Sequence, residues 1–273
     1  MTLHKDDTGR RWVEVEVEVP GTPEEVWHAI ATGPGISSWF VPTEVEEREG
    51  GAVTANFGPG MDSVSTITAW EPPRRFVAES ADLGPQAPPI ATEWSVEGRS
   101  GGVCVVRVVH SLFASTDDWD GQLEGFEAGW PAFFRILRLY LTHFRGRPSA
   151  ASQLMGVAPE PTTEAWDALV GALGLAGAGA GQRVQSAASA PPLGGLVEHA
   201  GPPEYPGLLL RLDAPTGGIA HLFALPMGGQ VYLPIRFYLY GDQAPAIVAR
   251  DEPRWQAWMA DHVSAGGDGS QGG

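Results

Sequence analysis

Lysine is almost absent from this 273-residue chain. Of its 17 basic residues only Lys5 is one, while acidic residues number 33, for a formal charge of −16. That balance repels phosphate over most of the surface, so nucleic acid is not an expected partner. Cysteine is equally scarce. Cys104 stands alone inside VCVVRVV, which excludes an internal disulfide and a cysteine-built zinc site and marks it as a small core residue. The seven histidines (4, 28, 110, 143, 199, 221 and 262) are scattered, with no His-Glu-x-x-His or Cys-x-x-Cys frame, so no metal is expected. There is no Gly-x-Ser-x-Gly elbow. The Gly-rich runs GLGLAGAGAG and GGAVTANFGPG lack the strand lead-in and the Gly-Lys-Ser ending of a phosphate loop and read as linkers or turns, so no cofactor is expected. Long apolar runs are missing too. The longest, Ala168 to Gly181, has 14 residues, too few to span a bilayer. The opening MTLHKDDTGRR lacks an apolar signal segment, so the expectation is a cytoplasmic protein with no membrane partner.

What the chain does have is enough apolar material, 43% with ten Trp, to fill a core. Residues 121–145 organise it. Phe126, Trp130, Phe133, Leu137, Leu141 and Phe144 recur at helical spacing on one stripe, and Glu127, Arg135, Arg138, Thr142 and Arg145 take the other side. Burying six such groups is worth about 1.5–3 kcal/mol each before entropy, so this helix needs a partner surface. Pro131 predicts a kink, or a segment beginning near Trp130.

The rest of the first half supplies that surface. WVEVEVEV (12–19) alternates as a half-buried strand. Pro20-Gly21 breaks it, and Thr22, Pro23 and Glu25 predict a capped helix running to about Thr32. GPG (33–35) ends it, and ISSWF (36–40) reads as one more helical turn. Strands follow at 41–48, 51–57, 62–71, 74–80, 90–97 and 102–110, with links short enough for antiparallel neighbours. One strand, two short helices, six strands and a long helix make an α+β unit whose curled sheet can hold the helix in its concave face.

These segments resemble the START-like (SRPBCC) helix-grip superfamily, and within it the family of activators of the heat-shock-ninety ATPase, C-terminal domain. The resemblance rests on VEVPGTPEEVWHAI (17–30), ISSWF, VSTITAWEPPRRFVAES (64–80), RVVHSLF (107–113) and EGFEAGWPAFFRILRLYL (124–141), in that order. It implies a cavity between the sheet and the last helix, as in lipid- and polyketide-binding relatives. Most bacterial members have no assigned chemistry.

The second half repeats the layout. SQLMGVAPEPTTEAWDALV (152–170) parallels 13–31, and GGLVEHAGPPEYPGLLLRL (194–212) parallels 64–80, with Pro202-Pro203 matching Pro72-Pro73. Apolar runs at 218–226 and 230–241 follow. A helix is expected over 245–263 with Ile247, Trp255, Trp258, Met259 and His262 inward. The expected domains are therefore a helix-grip domain at 1–146 and a second α+β domain at 152–263, read as a degenerate copy or else as an α+β extension. GRPSA (146–150) is the expected boundary, and the Gly-rich tail 264–273 is expected to be disordered.

Candidate ligand-binding residues are Trp39, Phe40, Phe57, Trp70, Phe76, Trp94, His110, Phe126, Trp130 and Phe133. They are more aromatic than one helix and one sheet need for a core. Glu93 and Asp62 could reach a cavity mouth, and Gly121, Gly125 and Gly129 leave a bare helix stripe. No catalytic residue is assigned. The leading expectation is a carrier of an apolar or amphipathic small molecule. A chaperone-linked accessory protein with a protein partner, implied by the resemblance alone, and a cyclase or hydrolase using His110 with a carboxylate stay open beside it.

Overall fold

The computed structural model describes residues 3–57, 62–80, 87–114 and 116–263, without the side chains of Glu127 and Ala128. The expected tail at 264–273 therefore lies outside the described residues, as does the side chain expected at Glu127. The chain divides into two compact units between Arg145 and Gly146.

The first unit contains β1 (His4–Lys5), β2 (Arg10–Pro20), α1 (Pro23–Ala31), α2 (Gly33–Ser37), β3 (Thr43–Val45), β4 (Ala52–Asn56), β5 (Asp62–Glu71), β6 (Arg75–Ser80), β7 (Ile90–Arg99), β8 (Val103–Phe113) and α3 (Asp120–His143). Its antiparallel sheet runs β1-β2-β8-β7-β6-β5-β4-β3, so the first long strand closes against the last. The strand β1 was not anticipated; two residues carry no periodic signal. Thr22 and Glu25 form the expected capping box on α1. The GPG turn behaves differently from expectation, because it opens α2 instead of ending a helix. Thr32 caps α2 by accepting from the Gly35 amide at 3.1 Å, and Pro34 sits in the first turn, where its missing N–H costs nothing. Gly35 is required there, since a Cβ would overlap the His28 carbonyl.

The long helix α3 continues unbroken through Pro131, which lies on the exposed side where water can replace the lost backbone bond. Its buried stripe is rotated from the expected one. Leu123, Phe134, Ile136 and Tyr140 are buried with Trp130, Leu137, Leu141 and Phe144, while Phe126 and Phe133 are half-buried. At its start, the Arg11 guanidinium binds Asp120 at 2.7 Å and Asp117 at 2.8 Å, with Lys5 on the same two carboxylates. These cations hold the Asp117 carboxyl below its ordinary range. Beneath lies a small separate core of Leu123 against Val13, Ile90 and Leu112.

The second unit contains β9 (Ser149–Pro159), α4 (Thr162–Leu173), β10 (Arg183–Gln185), β11 (Gly194–Ala200), β12 (Gly207–Ala214), β13 (Gly218–Phe223), β14 (Leu225–Met227), β15 (Gln230–Tyr240) and α5 (Ala244–His262). Its sheet runs β10-β11-β12-β13-β15, with β14 and β9 also on β15. Strand β9 begins at Ser149, inside the expected boundary segment. Again the first strand closes on the last, through an eleven-residue ladder like that of β2 with β8. The core packs Leu154, Leu169, Leu173, Leu233, Trp255, Trp258 and Met259. His262 departs from expectation. It is exposed and stacks on Trp258 at 4.7 Å, near the helix end where its ring meets the Trp258 carbonyl. Among the described residues no helix is long and apolar enough to cross a membrane.

Candidate ligand site of the first unit

In antiparallel pairs, opposite residues share a face. Ile67, Ala78, Thr92, His110 and Val13 therefore form one row across the concave face, and Val53, Ser65, Ser80 and Ile90 form another. Onto this face fall all ten candidates. Trp130 lies 5.0 Å from Trp94, 5.4 Å from Phe40 and 5.7 Å from His110, measured between ring centroids. Phe40 adds Phe133 at 4.5 Å, Phe57 at 5.7 Å and Trp39 at 5.7 Å, while Phe126 stacks on His110 at 4.8 Å. Trp70 and Phe76 join through Trp27 of α1, and Phe76 stacks on Trp94.

The network has a closed end and an open one. Trp39, Phe76, Trp94, His110 and Trp130 are buried; Phe40, Trp70, Phe126 and Phe133 are half-buried; Phe57 is 36% exposed. Sequence reasoning missed Thr92 and Phe134. The only signal for Thr92 was its strand register, which pairing alone reveals. Phe134 sits one position off the stripe that even spacing suggested.

His110 is the most constrained polar group. The Trp130 indole N–H, a donor only, points at its Nε2 at 2.7 Å, so Nε2 accepts. The ring proton is then on Nδ1 and donates to Thr92 Oγ1 at 3.0 Å. Burial pushes the His110 pKa down to about 4, which keeps it neutral near pH 7. With both nitrogens engaged, it has no free lone pair for a substrate proton.

The carboxylates Glu93 and Asp62 lie elsewhere. Glu93 alternates with Thr92 and Trp94, so it faces the opposite side of the sheet, where it holds Arg75 at 3.0 Å. Asp62 is exposed and accepts from the Asn56 amide. Cys104 is buried, donates its S–H to the Gly21 carbonyl, and has its thiol pKa raised by desolvation. Among the described residues no group of three His, Cys, Asp or Glu could hold a metal. Gly121, Gly125 and Gly129 lie on the exposed side of α3 with nothing near a built Cβ, so they neither pack nor face the rings.

A curved antiparallel sheet closing on its first strand, with a long C-terminal helix on its concave side, defines a helix-grip protein. Residues 20–142 match the family model of the Activator of Hsp90 ATPase homolog 1-like proteins, so the first unit has the START-like (SRPBCC) fold of that family. Among solved structures the chain is similar to DynU16, a putative protein of the dynemicin biosynthetic locus (18% identity, 92% of this chain and 95% of that one, TM-score 0.42). It is also similar to the di-domain ARO/CYC BexL of the BE-7585A biosynthetic pathway (13%, 94% and 99%, 0.43). A third likeness is to the Aha1 dimer from Colwellia psychrerythraea (17%, 48% and 95%, 0.40). No curated protein matches the chain.

Proposed function

We propose that the first unit binds an apolar or amphipathic small molecule in the groove between its sheet and α3, and performs no chemistry on it. One observation carries this reading: among the described residues, the concave floor toward β4 and β5 is only half-buried. The helix α3 lies along β2 and β8, toward the other end of the sheet from β4 and β5. There the floor is made of small half-buried side chains, Val53, Ala55, Ser65 and Ser80, bordered by half-exposed Phe40 and the exposed Phe57. Flat aromatic walls over a floor of methyl and hydroxyl groups suit an apolar body with a few oxygen atoms. Catalysis is disfavoured by the bonded, neutral His110 and by the turning of Glu93 to the other face.

The test is saturable binding of Nile red to the intact protein, with native mass spectrometry to find any co-purified ligand. Ser80→Trp should fill the floor and weaken binding at least tenfold, or about 1.4 kcal/mol. His110→Gln should stay within tenfold of wild type. Binding indifferent to Ser80→Trp would remove the groove from consideration. Turnover of aromatic polyketide or ester substrates that disappears in His110→Gln would replace the carrier with an enzyme.

A further inference from the structure

The second unit keeps the frame of the first but leaves a hole in it. Trp27 is the fifth residue of α1, and Trp166 is the fifth residue of α4. In the first unit the Trp27 indole is buried against Trp70 at 5.1 Å and Phe76 at 5.9 Å. Trp70 and Phe76 are a cross-strand pair, two residues ahead of and three residues beyond Pro72-Pro73. The matching hairpin of the second unit turns at Pro202-Pro203, and its corresponding cross-strand pair is Ala200 with Leu208. A ring has become a methyl group. Trp166 is consequently half-buried, and a partly open pocket of about 230 Å³ lies beside it, lined also by Asp167, Val170, Leu175, Ala200 and Leu208.

The charge around that space has one sign. Asp167 contributes an exposed carboxylate where the first unit has His28. The helix α4 ends at Gly174 in the left-handed conformation, so the pocket borders a helix C-terminus through Val170 and Leu175, and the partial charge there is negative. The Trp166 ring adds a negative π face. Among the residues lining the pocket none is basic.

We propose that this pocket binds a small aromatic ammonium compound. Its ring occupies the space that the Trp70 indole fills in the first unit, packed on Trp166. Its cation lies against Asp167 and the C-terminal turn of α4. Every residue lining the site belongs to the second unit.

Calorimetric titration of the full chain with 2-phenylethylammonium tests it, with 2-phenylethanol as the uncharged comparison. The expected result is saturable 1:1 binding of the amine, at least tenfold tighter than the alcohol. Asp167→Asn should abolish that preference, whereas Glu164→Gln, an exposed change on the same helix outside the pocket, should leave it intact. Ala200→Trp should remove binding of both compounds by restoring the first unit's filling. Titration of the wild type should also shift the Trp166 indole N–H resonance, which places the ligand without any variant. Equal affinity for amine and alcohol, no saturable binding, or an unchanged preference in Asp167→Asn would overturn the proposal.

Discussion

The two units close the same ladder with different chemistry at the same point. His110 is the eighth residue of β8 and faces Val13 across the ladder; Phe237 is the eighth residue of β15 and faces Ser152. Each meets a tryptophan from the long helix: Trp130 bonds to His110, and Trp255 packs on Phe237 with ring centroids 5.1 Å apart. In the first unit the helix is held in register by a directional hydrogen bond inside an aromatic cluster. In the second it is held by shape. The Ser152 hydroxyl is left buried with no partner, beside a space of only about 20 Å³. A polar lock specifies one orientation of its ring, and its loss leaves a buried group that water can no longer satisfy. An apolar contact tolerates sliding and repacking. The difference teaches that a large ring can fill this crossing by shape alone, and that the bond to His110 adds direction to it in the first unit.

The largest test removes the ring from each side. Trp130→Ala and Trp255→Ala should each cost about 3–5 kcal/mol, since both empty a packed site. The milder Trp130→Phe and Trp255→Phe then separate the two. The first should cost a further ~1–3 kcal/mol because His110 Nε2 is left buried without a donor. Equal losses in chemical denaturation, followed by amide exchange of α3 and α5, would show that the bond to His110 contributes nothing.

Acid should distinguish the units next. The folded-state pKa of His110 is about 4 against an ordinary value of 6.5. Between those values the unfolded chain binds the proton and the folded one does not, so stability rises with pH across that window. Lowering the pH from 7 to 4 should therefore cost the first unit up to roughly 3 kcal/mol, and His110→Gln should flatten the slope. The second unit has Phe237 at this place and lacks this contribution. There Asp251, held down by Arg250 and Arg254, takes up its proton only below the ordinary carboxylate range. A slope from pH 7 to 4 that survives in His110→Gln would sink this assignment.

Glycines sharpen the contrast at smaller scale. A Cβ at Gly156 would stand 2.5 Å from Val263 and 2.7 Å from Met259, so Gly156→Ala should destabilise the second unit by about 1–3 kcal/mol through overpacking. At Gly125 a Cβ meets nothing within 4 Å on an exposed helix face. Gly125→Ala should stabilise the first unit by about 0.5–1 kcal/mol, through helix propensity alone. Thermal denaturation of both variants shows the two signs, and a like sign would mean that one of the helices is seated differently. Smallest of all, Arg138→Ala on the exposed side of α3 should change stability by less than about 0.5 kcal/mol.

Much of the architecture was legible beforehand because its signals are local. The alternation of Val13, Val15, Val17 and Val19, the Thr22–Glu25 box and the Pro-Pro turns of both halves each act within a few residues, and each lies where expected. The aromatic network was legible in composition only. All ten candidate residues fall in one aromatic network, yet their division into closed and open ends was not visible, because exposure depends on which strands α3 covers. The Trp130–His110–Thr92 bonds were hidden for the same reason. They join a helix and two strands, and no spacing along the chain encodes the angle at which those elements cross.

The sequence by itself determined the long strands and main helices of the first half and the alternating faces of its strands, since periodicity, capping and turn chemistry act over short range. Tertiary structure alone decided three things. It locked His110 as a neutral acceptor instead of a base, turned Glu93 to the far face, and opened a pocket beside Trp166 where Ala200 stands in place of a ring. Each is a matter of what one element finds when it meets another, and burial, hydrogen-bond partners and empty volume exist only once those elements have packed.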